Sequence, residues 1–290
     1  MFCQKCGKEM SDSAKFCTNC GWSKNGVNPN AVGGKKFNLP IIPIVAVLAV
    51  LVVGFFASKI FIGGGSIAKD AKLVTSYSTD TTIDQMETVK FGSYYQNDAF
   101  TKEPIEWIVL DKQGGRTLLL SKYILDCKCY NNEEKDVTWE NCDLRKWLNN
   151  DFYYQAFNGS EQGKIQTTNV INNNNIDYGT NGGNNTNDKV FCLSIEEIRK
   201  YFGNGTKEDY GYQLGKNVAT RGTNYTRPKD NTNINDDNEW YSRNSNFWLR
   251  SPGYAQSYAV LMGYNGYINT YGFDFDGHNY GVRPALWLSE

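Results

Sequence analysis

One stretch of this chain runs for twenty residues without a charge, Leu39 to Ser58. It limits everything else the chain can fold into. A helix on a soluble domain needs a polar face, and this run offers none. At about 1.5 Å per residue it covers the roughly 30 Å of a bilayer's hydrocarbon core. Pro40 and Pro43 fall in the first turns, where a missing N–H costs least. Lys59 can snorkel to the interface, which lets Ile60–Ile62 extend the span. A transmembrane helix is therefore expected over residues 39–62, with the lipid bilayer as its partner. The run begins well inside the chain, so a cleavable signal peptide is not expected.

Before it lies a dense cysteine pattern, Cys3-Gln4-Lys5-Cys6-Gly7 and Cys17-Thr18-Asn19-Cys20-Gly21. Each C-x-x-C presents two thiolates from one tight turn, and the glycine after each pair accepts the φ > 0 that such a turn needs. Ten residues separate the two pairs. That spacing suits a closed tetrahedral four-sulfur site, so Cys3, Cys6, Cys17 and Cys20 are expected to bind a structural Zn²⁺. A segment this short has no core of its own, so the metal supplies its folding energy. The alternatives are disulfides or free thiols. The pattern resembles the bacterial zinc-ribbon family found at the start of many membrane proteins. The ribbon is placed at residues 1–22, a Gly/Asn/Lys linker at 23–38, and a Gly/Ser/Thr/Asp stalk at 63–88.

Lysines flank both ends of the apolar run in similar number, so positive charge does not orient it. The thiolates do. Zinc-ligating cysteines need a reducing compartment, which puts the ribbon in the cytoplasm and the C-terminal domain outside. The net charge of −1 gives no reason to expect nucleic acid.

From Val89 to Glu290 the pattern is that of a folded domain. Ile105–Asp111 and Arg116–Ser121 read as strands, joined by a turn at Lys112–Gly115. Leu144, Trp147, Leu148, Phe152 and Ala156 have helical spacing within Asp143–Phe157, with Asp143 as N-cap. Ile195–Phe202 reads as a second helix, begun by Ser194 with Glu197 three residues on. Asn172–Asp188 is nearly all Asn, Gly and Thr, and it reads as a polar loop outside the core. Thr223–Trp240 reads the same way. After Phe247, aromatics alternate with Gly and Asn as short strands and tight turns would. The expected class is α+β, with short antiparallel strands and long loops.

Four runs carry a resemblance. Ile105-Glu106-Trp107, Leu144-Arg145-Lys146-Trp147-Leu148-Asn149, Phe247-Trp248-Leu249-Arg250-Ser251-Pro252-Gly253 and Gly281-Val282-Arg283-Pro284-Ala285-Leu286 together resemble a bacterial domain-of-unknown-function family. The last run also resembles the closing strand of the formylglycine-generating-enzyme-like branch of the C-type lectin fold, which implies a lectin-like domain with a variable loop surface. Between these runs, Ala255, Ala259, Gly263, Gly266, Gly272 and Gly281 alternate with Tyr, Asn, Asp, Ser, Phe and His. That alternation is similar to the variable region of proteins diversified by retroelements.

These likenesses point to a ligand-binding face. Its candidate residues are Tyr254, Gln256, Ser257, Tyr258, Tyr264, Tyr267, Asn269, Tyr271, Phe273, Asp274, Asp276, His278 and Tyr280. The chain holds 19 tyrosines, and Tyr supplies rigid amphipathic contact area where Asn and Gly supply adaptable polar contacts. Arg250 and Arg283 read as fold residues beneath that face, and Trp107, Trp147, Trp248 and Trp287 as core. The glutamate- and tryptophan-based calcium motifs of sugar-binding lectins are absent. Asp274-Phe275-Asp276-Gly277 reads as an ordinary turn before it reads as a Ca²⁺ loop.

No catalytic residue is expected. The one histidine, His278, has neither a nucleophile elbow nor a cysteine neighbour. The oxidases of the formylglycine-generating family use cysteines late in the domain, and here none follows Cys192. Cys142 reads as half of a structural disulfide before Cys127 and Cys129 read as a redox pair. The expected function is display of a binding domain for an extracellular protein or glycan. The alternatives are a transmembrane sensor signalling through the ribbon and, further off, a formylglycine-generating-type oxidase.

Overall fold

The structure is a computed structural model that describes residues 81–229, 244–275 and 279–290. The ribbon cysteines Cys3, Cys6, Cys17 and Cys20, the linker, the span expected at 39–62 and the stalk up to residue 80 lie outside the described residues. So do Asp276 and His278. Among the described residues, no helix is long and apolar enough to cross a membrane.

The described residues build a β-rich domain. Its first sheet has five antiparallel strands in the order β1 (Thr88–Tyr95), β2 (Lys102–Gln113), β3 (Arg116–Ser121), β14 (Ala285–Ser289) and β5 (Ile165–Gln166). β2 and β3 pair from Trp107↔Ser121 to Gln113↔Arg116, with Gly114 and Gly115 in the turn. Both glycines have positive φ, 59° and 71°, as a tight hairpin turn requires. This is the hairpin expected from sequence. β14, nearly the end of the chain, pairs with β3 over Ala285↔Leu120 to Ser289↔Arg116, so the domain closes on itself.

The second sheet has seven strands. Their order is β4 (Asp126–Lys128), β13 (Tyr280–Val282), β10 (Phe247–Pro252), β11 (Tyr258–Met262), β12 (Tyr267–Asp274), β9 (Gly211–Gln213) and β8 (Thr206–Glu208). Its pairs are antiparallel except β10 with β13, which run parallel. β10 is buried at every position, and it carries Trp248 and Arg250 into the interior. A small hairpin of β6 (Thr168–Val170) and β7 (Thr186–Asp188) stands apart from both sheets.

Four short α-helices lie among the described residues. The run expected as one helix over Asp143–Phe157 is three pieces: α1 (Asp143–Trp147), a π turn at Leu148–Phe152 and α2 (Tyr153–Ala156). Its N-cap is Cys142, whose Sγ accepts from Arg145 N at 3.4 Å. Asp143 instead accepts from the backbone and side chain of Asn132. α3 is Gly159–Gln162, and α4 is Ile195–Phe202. α4 starts where sequence placed it: Ser194 accepts from Glu197 N at 3.2 Å, and Glu197 accepts from Ser194 N at 3.0 Å.

The core behaves largely as expected. Trp107 and Trp248 are fully buried and Trp287 nearly so, while Trp147 is half-buried against Phe152. The domain also begins earlier than Val89, since Met86 is buried in the core and Glu87 O accepts from Val109 N at 2.9 Å. Cys142 and Cys192 are buried thiols and not half-cystines, so the expected disulfide at Cys142 does not form. Burial pushes the Cys142 thiol up to about 12 and makes it inert.

The two arginines are fold residues. The Arg250 guanidinium pairs with Glu197 and donates to Cys192 O, Ile171 O and Asn172 Oδ1. Arg283 is buried and donates to Ser121 O at 2.9 Å and Val218 O at 2.7 Å. Replacing Arg283 with Leu strips two buried carbonyls of their donors. The expected loss is about 3 kcal/mol or more of unfolding free energy. The exposed Arg221→Leu change is expected to cost under about 0.5 kcal/mol. Urea denaturation of both variants checks the contrast.

Candidate functional site

The site begins with a loop that sequence assigned to solvent. Residues 172–188 are polar, yet Asn172, Asn175, Thr186 and Asp188 are buried. Asn175, 2 % exposed, is the anchor. Its Nδ2 donates to Pro252 O at 2.7 Å and to Thr270 O at 2.8 Å, at the end of β10 and the middle of β12. Its Oδ1 accepts from Asp177 N and Tyr178 N, which turns the chain back on itself. A buried amide that satisfies two strand carbonyls and two loop amides is structural core made from a polar residue. Composition alone could not distinguish it from the solvated asparagines around it.

Asp177 extends the same anchorage. It accepts from Lys207 Nζ and Thr270 Oγ1, each at 2.6 Å, and from Tyr212 OH at 3.1 Å. The carboxyl is held below its ordinary range: burial opposes this, but the hydrogen bonds from Lys207, Thr270 and Tyr212 outweigh it. Thr180 Oγ1 then donates to Tyr254 O at 2.8 Å, so the loop is tied to the segment after β10.

These bonds set Tyr178 beside the tyrosines of β11 and β12. Tyr254 and Tyr271 stack with centroids 4.0 Å apart and planes 12° from parallel. Tyr258 meets Tyr254 edge-on at 4.7 Å, and Tyr178 meets Tyr271 edge-on at 5.9 Å. Tyr210, from the β8–β9 turn, meets Tyr271 edge-on at 6.1 Å. The rings are outward: Tyr178 is 40 %, Tyr210 60 %, Tyr254 39 % and Tyr271 36 % exposed. Aromatic pairs of this geometry prefer each other by about 0.5–1.5 kcal/mol, so the cluster is ordered before any ligand arrives.

Gly272 makes the register possible. Its φ is +80°, and a Cβ there would lie 2.6 Å from Ala259 O. The β11–β12 pairing slips at this point, between Ala259 and Leu261. Asn269 Oδ1 accepts from Gly272 N at 3.2 Å and pins the bulge.

The structure thus brings three of the expected face residues together, Tyr254, Tyr258 and Tyr271, and adds Tyr178 and Tyr210. The remaining expected residues are placed differently. Gln256 is half-buried and donates to Val137 O and Asn181 O. Ser257 is half-buried. Tyr264 sits in the β11–β12 turn, where its N–H donates to Asn246 Oδ1. Tyr267 is half-buried beside Gly211, and Asn269 holds the bulge. Asp274 lies across the ladder from Tyr258. Phe273 is exposed but packs against Tyr280, and Tyr280 is buried against Trp248 at 5.1 Å. Tyr280 therefore belongs to the core and not to the face.

A second recess, of about 410 Å³, opens between Cys127, Cys129, Trp147, Lys229 and Asn279. Its polar groups already have partners within the fold. Lys229 pairs with Asp126 at 3.1 Å, and the Cys127 and Cys129 thiols donate to Thr226 O and Asn279 Oδ1. Among the described residues, no group of three or more His, Cys, Asp or Glu gathers as a metal site.

The chain matches the family described as domain of unknown function (DUF6273) over residues 114–290, and a zinc-ribbon domain over residues 2–21. No curated protein and no solved structure matches it.

The tyrosine cluster has a titration signature. A hydrogen bond to Tyr254, and desolvation after it, push the Tyr271 phenol up to about 12, and a hydrogen bond to Tyr254 also raises Tyr258. The folded value lies above that of an unfolded tyrosine, about 10. The bond's contribution to stability is therefore complete below about pH 10 and disappears as pH climbs through 12. Tyrosinate absorbance should show late-titrating phenols in the native protein. Tyr254→Phe should bring Tyr271 back toward the ordinary tyrosine range.

Proposed function

We propose that this chain, which belongs to the DUF6273 family, is a membrane-anchored ligand-binding protein whose C-terminal domain presents a tyrosine surface outside the cell. The observation that carries the reading is the cluster itself. Tyr178, Tyr210, Tyr254, Tyr258 and Tyr271 come from separate chain segments and converge on one exposed face. Core packing alone does not demand that placement, because Tyr178, Tyr210, Tyr254 and Tyr271 keep 36–60 % of their surface exposed, with Tyr258 half-buried beside them. Exposed aromatic patches of this kind serve contact with a partner, and Tyr gives contact area at low entropic cost.

The remainder of the proposal concerns the N-terminal residues. The span expected at 39–62, built on the uncharged run Leu39–Ser58, anchors the chain in a lipid bilayer. The zinc ribbon at residues 2–21 lies on the cytoplasmic side, with Cys3, Cys6, Cys17 and Cys20 holding a structural Zn²⁺. The four-thiolate donor set suits that ion and leaves no open position for catalysis. The C-terminal domain is lectin-like in this reading, which rests on its closing Gly281-Val282-Arg283-Pro284-Ala285-Leu286 run.

The full-length protein, applied to arrays of extracellular proteins and glycans, tests the reading. Binding should fall at least tenfold when Tyr178, Tyr254 and Tyr271 are replaced together by Ala, given that aromatic anchors dominate such interfaces. Ligands whose binding ignores that substitution would place the function elsewhere on the domain.

A further inference from the structure

Building on the surface reading above, we infer that the tyrosine face takes the lysine and arginine side chains of an extended polypeptide partner.

Tyr254 and Tyr271 are stacked, and Tyr178, Tyr210 and Tyr258 stand edge-on to that pair at 71–84°. The cluster therefore offers aromatic faces in two perpendicular orientations. A tyrosine face attracts a cation through its quadrupole.

The fold treats its other tyrosines differently. Lys229 Nζ sits 3.4 Å from the centre of Tyr225, Arg199 4.2 Å from that of Tyr212, and Lys200 4.5 Å from that of Tyr201. Among the described residues, no lysine or arginine covers Tyr178, Tyr210, Tyr254, Tyr258 or Tyr271. The described lysines and arginines cover other tyrosine faces and leave this one to a partner.

Charge around the face has the same sense. Asp274 stands across the ladder from Tyr258. The exposed Glu134 and Asp136 lie on the loop that Gln256 fastens beside the cluster, through Val137 N to Gln256 O at 3.2 Å and Gln256 Nε2 to Val137 O at 2.9 Å. The exposed Glu208 ends β8, two residues before Tyr210. The lysines of this rim are already paired, Lys135 with Glu133 at 2.7 Å and Lys207 with Asp177 at 2.6 Å. A rim of carboxylates around aromatic faces complements a basic ligand.

Ring spacing selects the kind of ligand. A small quaternary ammonium needs rings arranged as a box, and the 4.0 Å stack of Tyr254 on Tyr271 leaves no space for an ion between them. Tyr178, Tyr210 and Tyr258 each lie 5.9–6.1 Å from Tyr271 instead. Alternate side chains of an extended peptide are spaced by about 6.6–6.8 Å. Two basic residues on one side of a strand can therefore address Tyr271 and one of its neighbours together.

Titration of the full-length protein with labelled Arg-Gly, Ser-Gly and Glu-Gly repeat peptides of equal length, and with tetramethylammonium, tests the inference. The Arg-Gly peptide should bind, and added salt should weaken it. Tyr254→Ala with Tyr271→Ala should weaken it roughly four- to twenty-five-fold, two rings at about two- to fivefold each. Replacing both by Phe, which keeps the faces and the packing, should change affinity less than about twofold. Glu134→Gln should weaken binding and flatten its salt dependence. Equal binding of the Ser-Gly or Glu-Gly peptide overturns the inference, as does tetramethylammonium competing as well as the peptide, or an Arg-Gly affinity the alanine pair leaves untouched. Failure of every probe here, with tyrosine-dependent hits on the arrays, would reject basic ligands and leave the binding surface standing. Failure of both would reject the surface.

Discussion

The exposed face of this domain depends on one buried amide. Asn175 gives both of its N–H groups to strand carbonyls, Pro252 O and Thr270 O, and takes two loop N–H groups in return. Without it, those carbonyls lose their donors at a buried site, a cost of about 1–3 kcal/mol. The loop would also lose the turn that sets Tyr178 against the β12 tyrosines. Neighbouring bonds lean on this one. Asp177 can reach Lys207, Tyr212 and Thr270 only because the turn at Asn175 delivers it there. A second hub lies deeper. Arg250 pairs with Glu197 of α4 and donates to Ile171 O and Asn172 Oδ1, so the start of the same loop is tied to a helix and to β10.

Much of the fold was legible in the sequence, for identifiable reasons. The β2–β3 hairpin carried a Gly-Gly turn between apolar runs, and α4 carried a complete capping box. Both signals are local, and local signals survive into structure. Arg250 and Arg283 read correctly as fold residues because a guanidinium beside buried strand residues must find carbonyl or carboxylate partners. The Asp143–Phe157 helix was less legible. Its apolar spacing was right, but a π turn at Leu148–Phe152 shifts the phase, and Cys142, a weak acceptor, takes the cap.

The face was half legible. Tyr254, Tyr258 and Tyr271 stand near one another in sequence, and alternation with small residues marked them as a surface. Tyr178 and Tyr210 belong to the same cluster through contacts across 76 and 61 residues of chain from Tyr254 and Tyr271 respectively (254 − 178 and 271 − 210), which no local pattern encodes. The loop bearing Tyr178 misled because burial of an asparagine depends on the carbonyls it meets, and those lie on distant strands. Tyr280 misled in the opposite direction. It shares the composition of the face, but pairing with β4 and packing on Trp248 draw it inward.

The central claim is that Asn175 organises the tyrosine face, and near-ultraviolet circular dichroism of Asn175→Ala tests it most directly. Tyrosines held in one chiral cluster give a signal that mobile tyrosines lose. The account predicts a reduced near-ultraviolet tyrosine band with far-ultraviolet spectrum retained, because the ladders of β10, β11 and β12 pair strand to strand without Asn175. An unchanged near-ultraviolet spectrum in the variant would contradict it, since the cluster would then be held by the strands alone.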